Sequence, residues 1–202
     1  MKIALIGATG NAGTPLLNEL IRRGHEVTAI VRHPEKIAAH PKVTARKGDV
    51  LDQQGLATLL MGHDAVISSV HFSASDPKKL IEAVRASGVK RYLVVGGAGS
   101  LEVAPGKKLI DTPEFPPQYK TEAAAGGVFL DLLKQEKELD WTFLSPSALF
   151  IQGERTGKFR LGADQLLTTD KGSSISFEDY AIAMVDEIEK PAHSRRRFTV
   201  GY

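Results

Sequence analysis

Short apolar runs alternate with longer segments of helical period along most of the chain. Lys2–Ile6, Val27–Val31, Val43–Ala45, Ala65–Ser69, Tyr92–Val95 and Trp141–Leu144 are rich in Val, Ile and Leu, and most lack polar alternation. A strand with no polar face is covered on both sides, as in a parallel sheet sandwiched between helices. The intervening segments Ala12–Arg23, Gln53–Met61, Pro77–Ala86 and Gln118–Lys137 read as helices. In the first, Leu16, Leu17, Leu20 and Ile21 fall at helical spacing, and Arg22 and Arg23 before Gly24 put cations and then a glycine at its end. Leu80, Ile81 and Val84 make a similar stripe. Ser176-Phe-Glu-Asp179 has the form of a capping box ahead of Tyr180, Ala181, Met184, Val185 and Ile188. A late helix is therefore predicted over Phe177–Glu189, and a last strand at Phe198–Val200.

This order implies right-handed crossovers and an α/β fold built on a doubly wound parallel sheet. Ligands of such sheets bind beyond the carboxyl ends of the strands, so the loops beginning at Gly7, Arg32, Gly48, Ser68, Gly96 and Ser145 are the places to look for chemistry. The length suits one domain, 1–202, with about 146–175 forming a small carboxyl-terminal extension that walls the substrate side.

Gly7-Ala-Thr-Gly10-Asn-Ala-Gly13 follows the first strand and opens the first helix. A glycine-rich turn in that position presents free N–H groups and the positive end of the helix dipole to a pyrophosphate. The spacing is G-x-x-G-x-x-G, not the common G-x-G-x-x-G, so its place after the first strand carries the inference; the alternative is a tight turn that needs glycine only for its backbone.

With these residues the chain resembles the short-chain dehydrogenase/reductase superfamily, and more narrowly its atypical NAD(P)H-binding branch, whose members carry the names NADH-flavin reductase or NmrA-like. The resemblance rests on the glycine turn, Arg32, Gly48-Asp49-Val50, Gly96-Gly97-Ala98-Gly99-Ser100-Leu101 and Asp140-Trp141-Thr-Phe-Leu-Ser145-Pro146. It continues through Gly153-Glu-Arg-Thr-Gly157 and Ile175-Ser176-Phe-Glu-Asp179-Tyr180-Ala181, so it spans essentially the whole chain. It implies a Rossmann-like sheet with the cofactor held at Gly7, Thr9, Gly10, Asn11, Ala12, Gly13, Arg32, Asp49, Val50, Ser68, Ser69, Gly96 and Gly97. Asp49 would contact the adenine; on spacing alone it reads equally as the cap of a turn.

At the end of the second strand, where an acid would hold a ribose 2′-OH, the chain has Val31-Arg32-His33-Pro34. A guanidinium there suits a 2′-phosphate, so NADP(H) is expected over NAD(H), unless Arg32 is only a solvated side chain. For chemistry, the superfamily uses a serine with Tyr-x-x-x-Lys. Ser100 keeps the place of the serine, with a turn cap as the alternative, and Tyr119 opens the fourth helix, but Ala123 stands where the lysine belongs. Adjacent Tyr119 and Lys120 point about 100° apart on a helix and cannot replace that pair. A flavin or quinone-like acceptor does not demand a protein acid. His71, Phe72, Pro146 and Phe150 are candidates to line its pocket, with Phe72 either stacking on a flat substrate or packing the loop. The favoured reading is an NAD(P)H-dependent reductase of such an acceptor. The alternatives are an NAD(P)-sensing regulator that does not turn over, and, less favoured, an epimerase or dehydratase using bound NAD.

Composition narrows this further. The 202 residues are 42% hydrophobic and 25% charged, and contain no cysteine, which excludes disulfides, cysteine metal sites and thiol catalysis. Histidines at 25, 33, 40, 63, 71 and 193 are scattered without ligand spacing, so no metal is expected. A net charge of +2 gives no reason to expect nucleic acid or a membrane surface as partner. Arg195-Arg196-Arg197 reads as a solvated edge that discourages strand pairing. No secretory pattern opens the chain, so a cytoplasmic monomer or homodimer is expected.

Overall fold

The computed structural model describes all of residues 1–202. In chain order the elements are β1 (Lys2–Ile6), α1 (Gly13–Arg22), β2 (Glu26–Val31), β3 (Val43–Lys47), α2 (Gln53–Leu60), β4 (Ala65–Ser68), α3 (Pro77–Ala86) and β5 (Arg91–Val95). They continue with β6 (Glu102–Ala104), β7 (Lys107–Lys108), α4 (Lys120–Gln135), β8 (Asp140–Pro146), β9 (Leu149–Ile151), β10 (Arg160–Gly162), β11 (Ser174–Ser176), α5 (Phe177–Glu189) and β12 (Arg196–Gly201). Eight strands form one sheet in the order β10-β12-β8-β5-β4-β1-β2-β3, parallel throughout except that β10 runs antiparallel to β12. This is the doubly wound, Rossmann-like α/β sheet that the alternation of elements implies.

The strands are apolar on both faces because both are covered. Ile3, Leu5, Ala29, Ile67 and Leu93 pack with Leu16, Leu17 and Leu20 of α1 and Met184, Val185 and Ile188 of α5. The alternate positions Ala4, Ile6, Ile30, Val66 and Val94 face Leu56 and Leu60 of α2, Leu80 and Val84 of α3, and Phe129, Leu130 and Leu133 of α4. Period-2 alternation of strand side chains thus divides one apolar run between two cores. No helix is long and apolar enough to cross a membrane.

Two expectations need correction. The arginine run is solvated only in part: Arg195 and Arg196 are exposed and precede the Thr199–Gly201 segment of β12 that pairs with β10, but Arg197 is buried. The Arg197 side chain is only 5% exposed and pairs with Asp164 at 2.6 Å, while Arg195, at φ 53°, donates to the carbonyls of Lys137 and Leu139. The short β10, which has no apolar run to announce it, takes the edge position instead. The capping box is half formed. Ser176 Oγ accepts from the Asp179 N–H at 3.0 Å, but the Asp179 carboxylate turns away and accepts from the N–H groups of Thr156 and Gly157 and the hydroxyls of Thr156 and Tyr202.

The extension is also fastened to α1. Arg155 reaches Glu19 with two hydrogen bonds, Nε to Oε2 at 2.8 Å and Nη2 to Oε1 at 2.9 Å, and Arg23 adds a third from the helix itself. Burial of Glu19 opposes its ionisation, yet the bonds from Arg155 and Arg23 hold its carboxyl below the ordinary range.

The tightest contact in the fold is between the turn after β1 and the start of α1. A Cβ on Gly13 would collide with the carbonyl oxygen of Gly7. Both colliding atoms belong to rigid backbone, so Gly13→Ala is expected to destabilise the protein by about 1–3 kcal/mol. That corresponds to a fall in Tm on the order of 2–12 °C for a chain of this size, measured by thermal unfolding.

Candidate functional site

A cleft of about 930 Å³ lies beyond the carboxyl ends of β1, β2, β3, β4, β5 and β8. Its centre is the point where the sheet changes winding direction, with β1 flanked by β2 on one side and β4 on the other. The strand ends diverge there and leave a crevice.

At one end the three glycines do different work. Gly7 takes φ +83°, and a Cβ on it would strike the carbonyl of Ser69, so Gly7 and Gly13 are glycines for the chain's own packing. Gly10 is different. The nearest atom to a Cβ there is the Gly7 carbonyl oxygen at 3.5 Å, an ordinary contact, so the fold would tolerate a side chain that a ligand would not. Thr9, Gly10, Asn11 and Ala12 line the cleft, and the backbone N–H groups of Thr9, Asn11 and Ala12 make no hydrogen bond. Helix α1 has no side-chain cap and no acid in its first turn, whereas α2, α3 and α5 are capped by Asp52, Asp76 and Ser176. Unpaired donors at an uncapped helix N-terminus suit a pyrophosphate in both charge and geometry.

Arg32, Asp49 and Val50 continue this wall. Arg32 is exposed and makes no salt bridge; the Glu35 carboxylate instead lies 3.1 Å from His33 Nδ1. Asp49 Oδ1 accepts from the Leu51 N–H at 2.9 Å, capping its turn while the residue still lines the cleft. Ser69 lines the cleft, but Ser68 does not. Its side chain points to the opposite side of the strand, is buried, and bonds to the Tyr92 hydroxyl at 2.9 Å. Gly13 likewise stays outside the cleft.

Gly96 and Gly97 form the floor. The Gly96 N–H donates to the Leu144 carbonyl at 2.8 Å, and the Tyr180 hydroxyl sits beside both, donating to Leu144 at 2.7 Å. Burial pushes the Tyr180 and Tyr92 phenols far above their ordinary values, so neither serves as an acid.

At the far end, His71, Phe72, Ser100, Tyr119, Pro146 and Phe150 converge on the cleft. Tyr119 stands at the start of α4 and is 60% exposed. Ala123, one turn on, is pressed against the strand-five loop: a Cβ on Gly99 would come within 2.7 Å of the Ala123 Cβ. Phe72 is held between Phe129, edge-on at 5.5 Å, and Phe143, stacked at 6.0 Å, so its contacts are those of a packed wall. Ser100 Oγ accepts a hydrogen bond from Arg197 Nη1 at 3.1 Å.

A family of proteins described as NAD(P)H-binding matches residues 7–191. The chain belongs to that family. The Bacillus subtilis protein YwnB is 43% identical over 211 residues, covering 99% of this chain and 98% of its own length. A crystal structure from Bacteroides thetaiotaomicron, assigned by inference as an epimerase, is 46% identical with a TM-score of 0.95, covering 100% of this chain and 96% of that one. Another from Streptococcus pneumoniae, assigned by inference as an NADH-flavin reductase, is 42% identical with a TM-score of 0.86, over 100% and 99% of the two chains.

For a member of this NAD(P)H-binding family, the far wall of the cleft holds two surprises. Leu109, Thr112, Glu114, Phe115 and Pro116, between β7 and α4, line the cleft. Their segment mixes prolines with charged residues and shows no period, so the only available signal was its length in an otherwise economical chain. Conversely, residues 152–172 do not line the cleft; from 146–175 only Pro146–Phe150 and Ser173 do. The rest runs along α1 and α5 and supplies β10.

Glu122 pins this wall. Its carboxylate accepts from the N–H groups of Phe72 at 2.7 Å and Ser73 at 2.9 Å, and from the Ser73 hydroxyl at 2.5 Å. Burial opposes its charge, but the Ser73 and Phe72 bonds prevail and its carboxyl lies below the ordinary range. A depressed folded value means the clamp contributes stability above the unfolded carboxylate pKa of about 4.3 and loses it as pH falls through the folded value. Glu122→Gln is therefore expected to cost about 1–2 kcal/mol at neutral pH, with the difference from wild type shrinking below about pH 4, as read from urea midpoints across pH.

Proposed function

We propose that this single-domain chain is a reductase that prefers NADPH and passes hydride to a flavin or a similarly flat, conjugated acceptor. The contrast between the two ends of the cleft carries the reading. One end is an uncapped phosphate cradle with an unpaired arginine beside it; the other has a serine and a tyrosine but only Ala123 where a lysine would tune the tyrosine. An acceptor that can take its proton from water fits that second end.

The bound nicotinamide supplies the hydride. The N–H groups of Thr9, Asn11 and Ala12 and the α1 dipole would hold the pyrophosphate, with Gly10 leaving space for its approach. Arg32 would pair with the 2′-phosphate, and Asp49 and Val50 would border the adenosine. Gly96 and Gly97 leave the floor bare, and Ser100 would donate to the acceptor atom that gains negative charge. Tyr119, Pro146 and Phe150 would orient a flat ring system from the sides, and His71 stands at the mouth with its side chain 85% exposed. The Streptococcus pneumoniae relative's assignment as a flavin reductase supports this acceptor class.

The test is NADPH consumption with riboflavin, FMN and quinones, alongside titrations with NADP+ and NAD+. Turnover with at least one of these acceptors is expected; tight cofactor binding without consumption of any would instead identify a cofactor sensor. Arg32→Ala is expected to weaken NADP+ by about tenfold to a hundredfold while leaving NAD+ within a few fold, the worth of a charge-assisted pair. Equal losses for both cofactors would refute the NADPH preference. Gly10→Val is expected to abolish binding of both with Tm little changed, because the new side chain enters open space.

A further inference from the structure

Arg197 enters the cleft region from an unexpected direction. It lies on β12, next to the sheet edge and 97 residues from Ser100 in sequence, yet its Nη1 donates to Ser100 Oγ at 3.1 Å and its Nη2 approaches the Ser100 carbonyl at 3.4 Å. Its side chain is 5% exposed and does not itself line the cleft, whereas Ser100 does. Nε and Nη2 are occupied by Asp164 at 2.7 and 2.6 Å, which fixes the plane of the guanidinium. Nη1 is left to two serine hydroxyls, Ser100 on the cleft at 3.1 Å and the buried Ser145 at 3.5 Å.

We propose that Arg197 is a positioning residue for reduction of the acceptor, acting through the Ser100 hydroxyl. The inference rests on the reductase reading above. A guanidinium has only donors, so Ser100 Oγ must accept from it. The serine proton is then free to point into the cleft as a donor, in place of being spent on the protein. A fixed positive charge behind that oxygen also strengthens the donor as negative charge grows on the acceptor. In the overall step NAD(P)H gives its hydride to the acceptor, which is reduced by two electrons, and the nicotinamide is oxidised. The reduced acceptor carries a negative charge at the atom facing Ser100 until it takes a proton from water. The position one turn beyond Tyr119 offers no cation, and Arg32 is the one lysine or arginine side chain lining the cleft, at the cofactor end. Arg197 is thus the charge held against the acceptor's donor.

The test is a double-mutant cycle on the full chain with Ser100→Ala, Arg197→Met and the double variant. NADPH consumption with riboflavin gives kcat and KM, and a titration gives the NADP+ Kd. Each single variant is expected to lose about tenfold to a hundredfold in kcat with NADP+ affinity kept within about twofold, and the double variant to be no slower than Ser100→Ala. Arg197→Lys, which keeps the charge but not the fork, is expected to recover part of the loss, and replaces Arg197→Met in the cycle if that variant does not fold. Asp164→Asn keeps the Arg197 charge but loosens its plane; the positioning role predicts a kcat between those of wild type and Arg197→Met whatever its Tm, whereas a purely structural role for Arg197 predicts that kcat follows Tm across these variants. Multiplying losses in the double variant, or an Arg197→Met enzyme of normal kcat, would overturn the inference while leaving the reductase reading intact. Quenching of riboflavin fluorescence in the presence of NADP+ follows the same cycle without turnover. A wild-type chain that neither oxidises NADPH with any acceptor nor quenches riboflavin would overturn both.

Discussion

The close approach of α1 to the turn after β1 sets the position of everything else in the cleft. Gly7 lies against the carbonyl of Ser69 at the end of β4, and Gly13 lies against the carbonyl of Gly7, so three segments of backbone meet with no side chain between them. That contact brings the helix N-terminus to the crevice between β1 and β4, where the sheet changes winding direction. The unpaired N–H groups of Thr9, Asn11 and Ala12 are a consequence. A helix that started a few residues later, or stood off the sheet, would have room for a capping side chain as α2, α3 and α5 do. The same geometry that leaves donors without partners makes them available to an anion.

Around that contact, the molecule fastens its walls with charge as well as with apolar area. Glu19, Glu122 and Asp179 are carboxylates satisfied by donors from distant segments: Arg155 onto α1, the Phe72–Ser73 turn onto α4, and residues 156–157 onto α5. The segment around Arg155 is short of apolar residues, whereas at the Phe72–Ser73 turn the carboxylate adds to the packing of Phe72 between Phe129 and Phe143. A carboxylate accepting several hydrogen bonds fixes a loop's position with few atoms. It also makes the walls sensitive to acid, because the depressed pKa values of Glu19 and Glu122 are stabilising only while the carboxyls are ionised.

This division explains what was legible in the sequence. The strands β1, β2, β4, β5 and β8, and all five helices, were readable because each buries an apolar run or stripe, and burial is what hydrophobic periodicity reports. The glycine turn was readable for the same reason, as its context is a strand followed by a helix. The short strands β6, β7, β9, β10 and β11 were not, since two or three residues cannot establish a period. Of the residues expected at a cofactor, all but Gly13 and Ser68 line the cleft; those two were drawn in by adjacency, although their side-chain positions face the protein. The acceptor end was legible only in part. Leu109 to Pro116 and Glu122 reach the cleft through contacts between segments far apart in sequence, and nothing local marks them. Arg197 shows the limit most clearly: beside two exposed arginines it looked like part of a solvated edge, and only its contacts with Asp164 and Ser100, far away in sequence, reveal that it is buried.

The small residues at 99 and 123 and the arginine at 197 are best understood together. Gly99 and Ala123 allow α4 to approach the loop after β5, and a lysine at 123 would have to share the space that Ala123 occupies against Gly99. Tyr119 stands at the start of that helix, 60% exposed, with Ala123 rather than a lysine one turn on. The positive charge is found instead on the opposite side of the cleft floor, on β12, and is directed at Ser100 rather than at Tyr119. An acid that must surrender a proton needs its pKa lowered; a hydroxyl that only donates a hydrogen bond needs to be oriented. A buried guanidinium fixed by Asp164 meets the second need, and on the proposed reductase reading this suits acceptors whose reduced form can remain anionic until water supplies the proton.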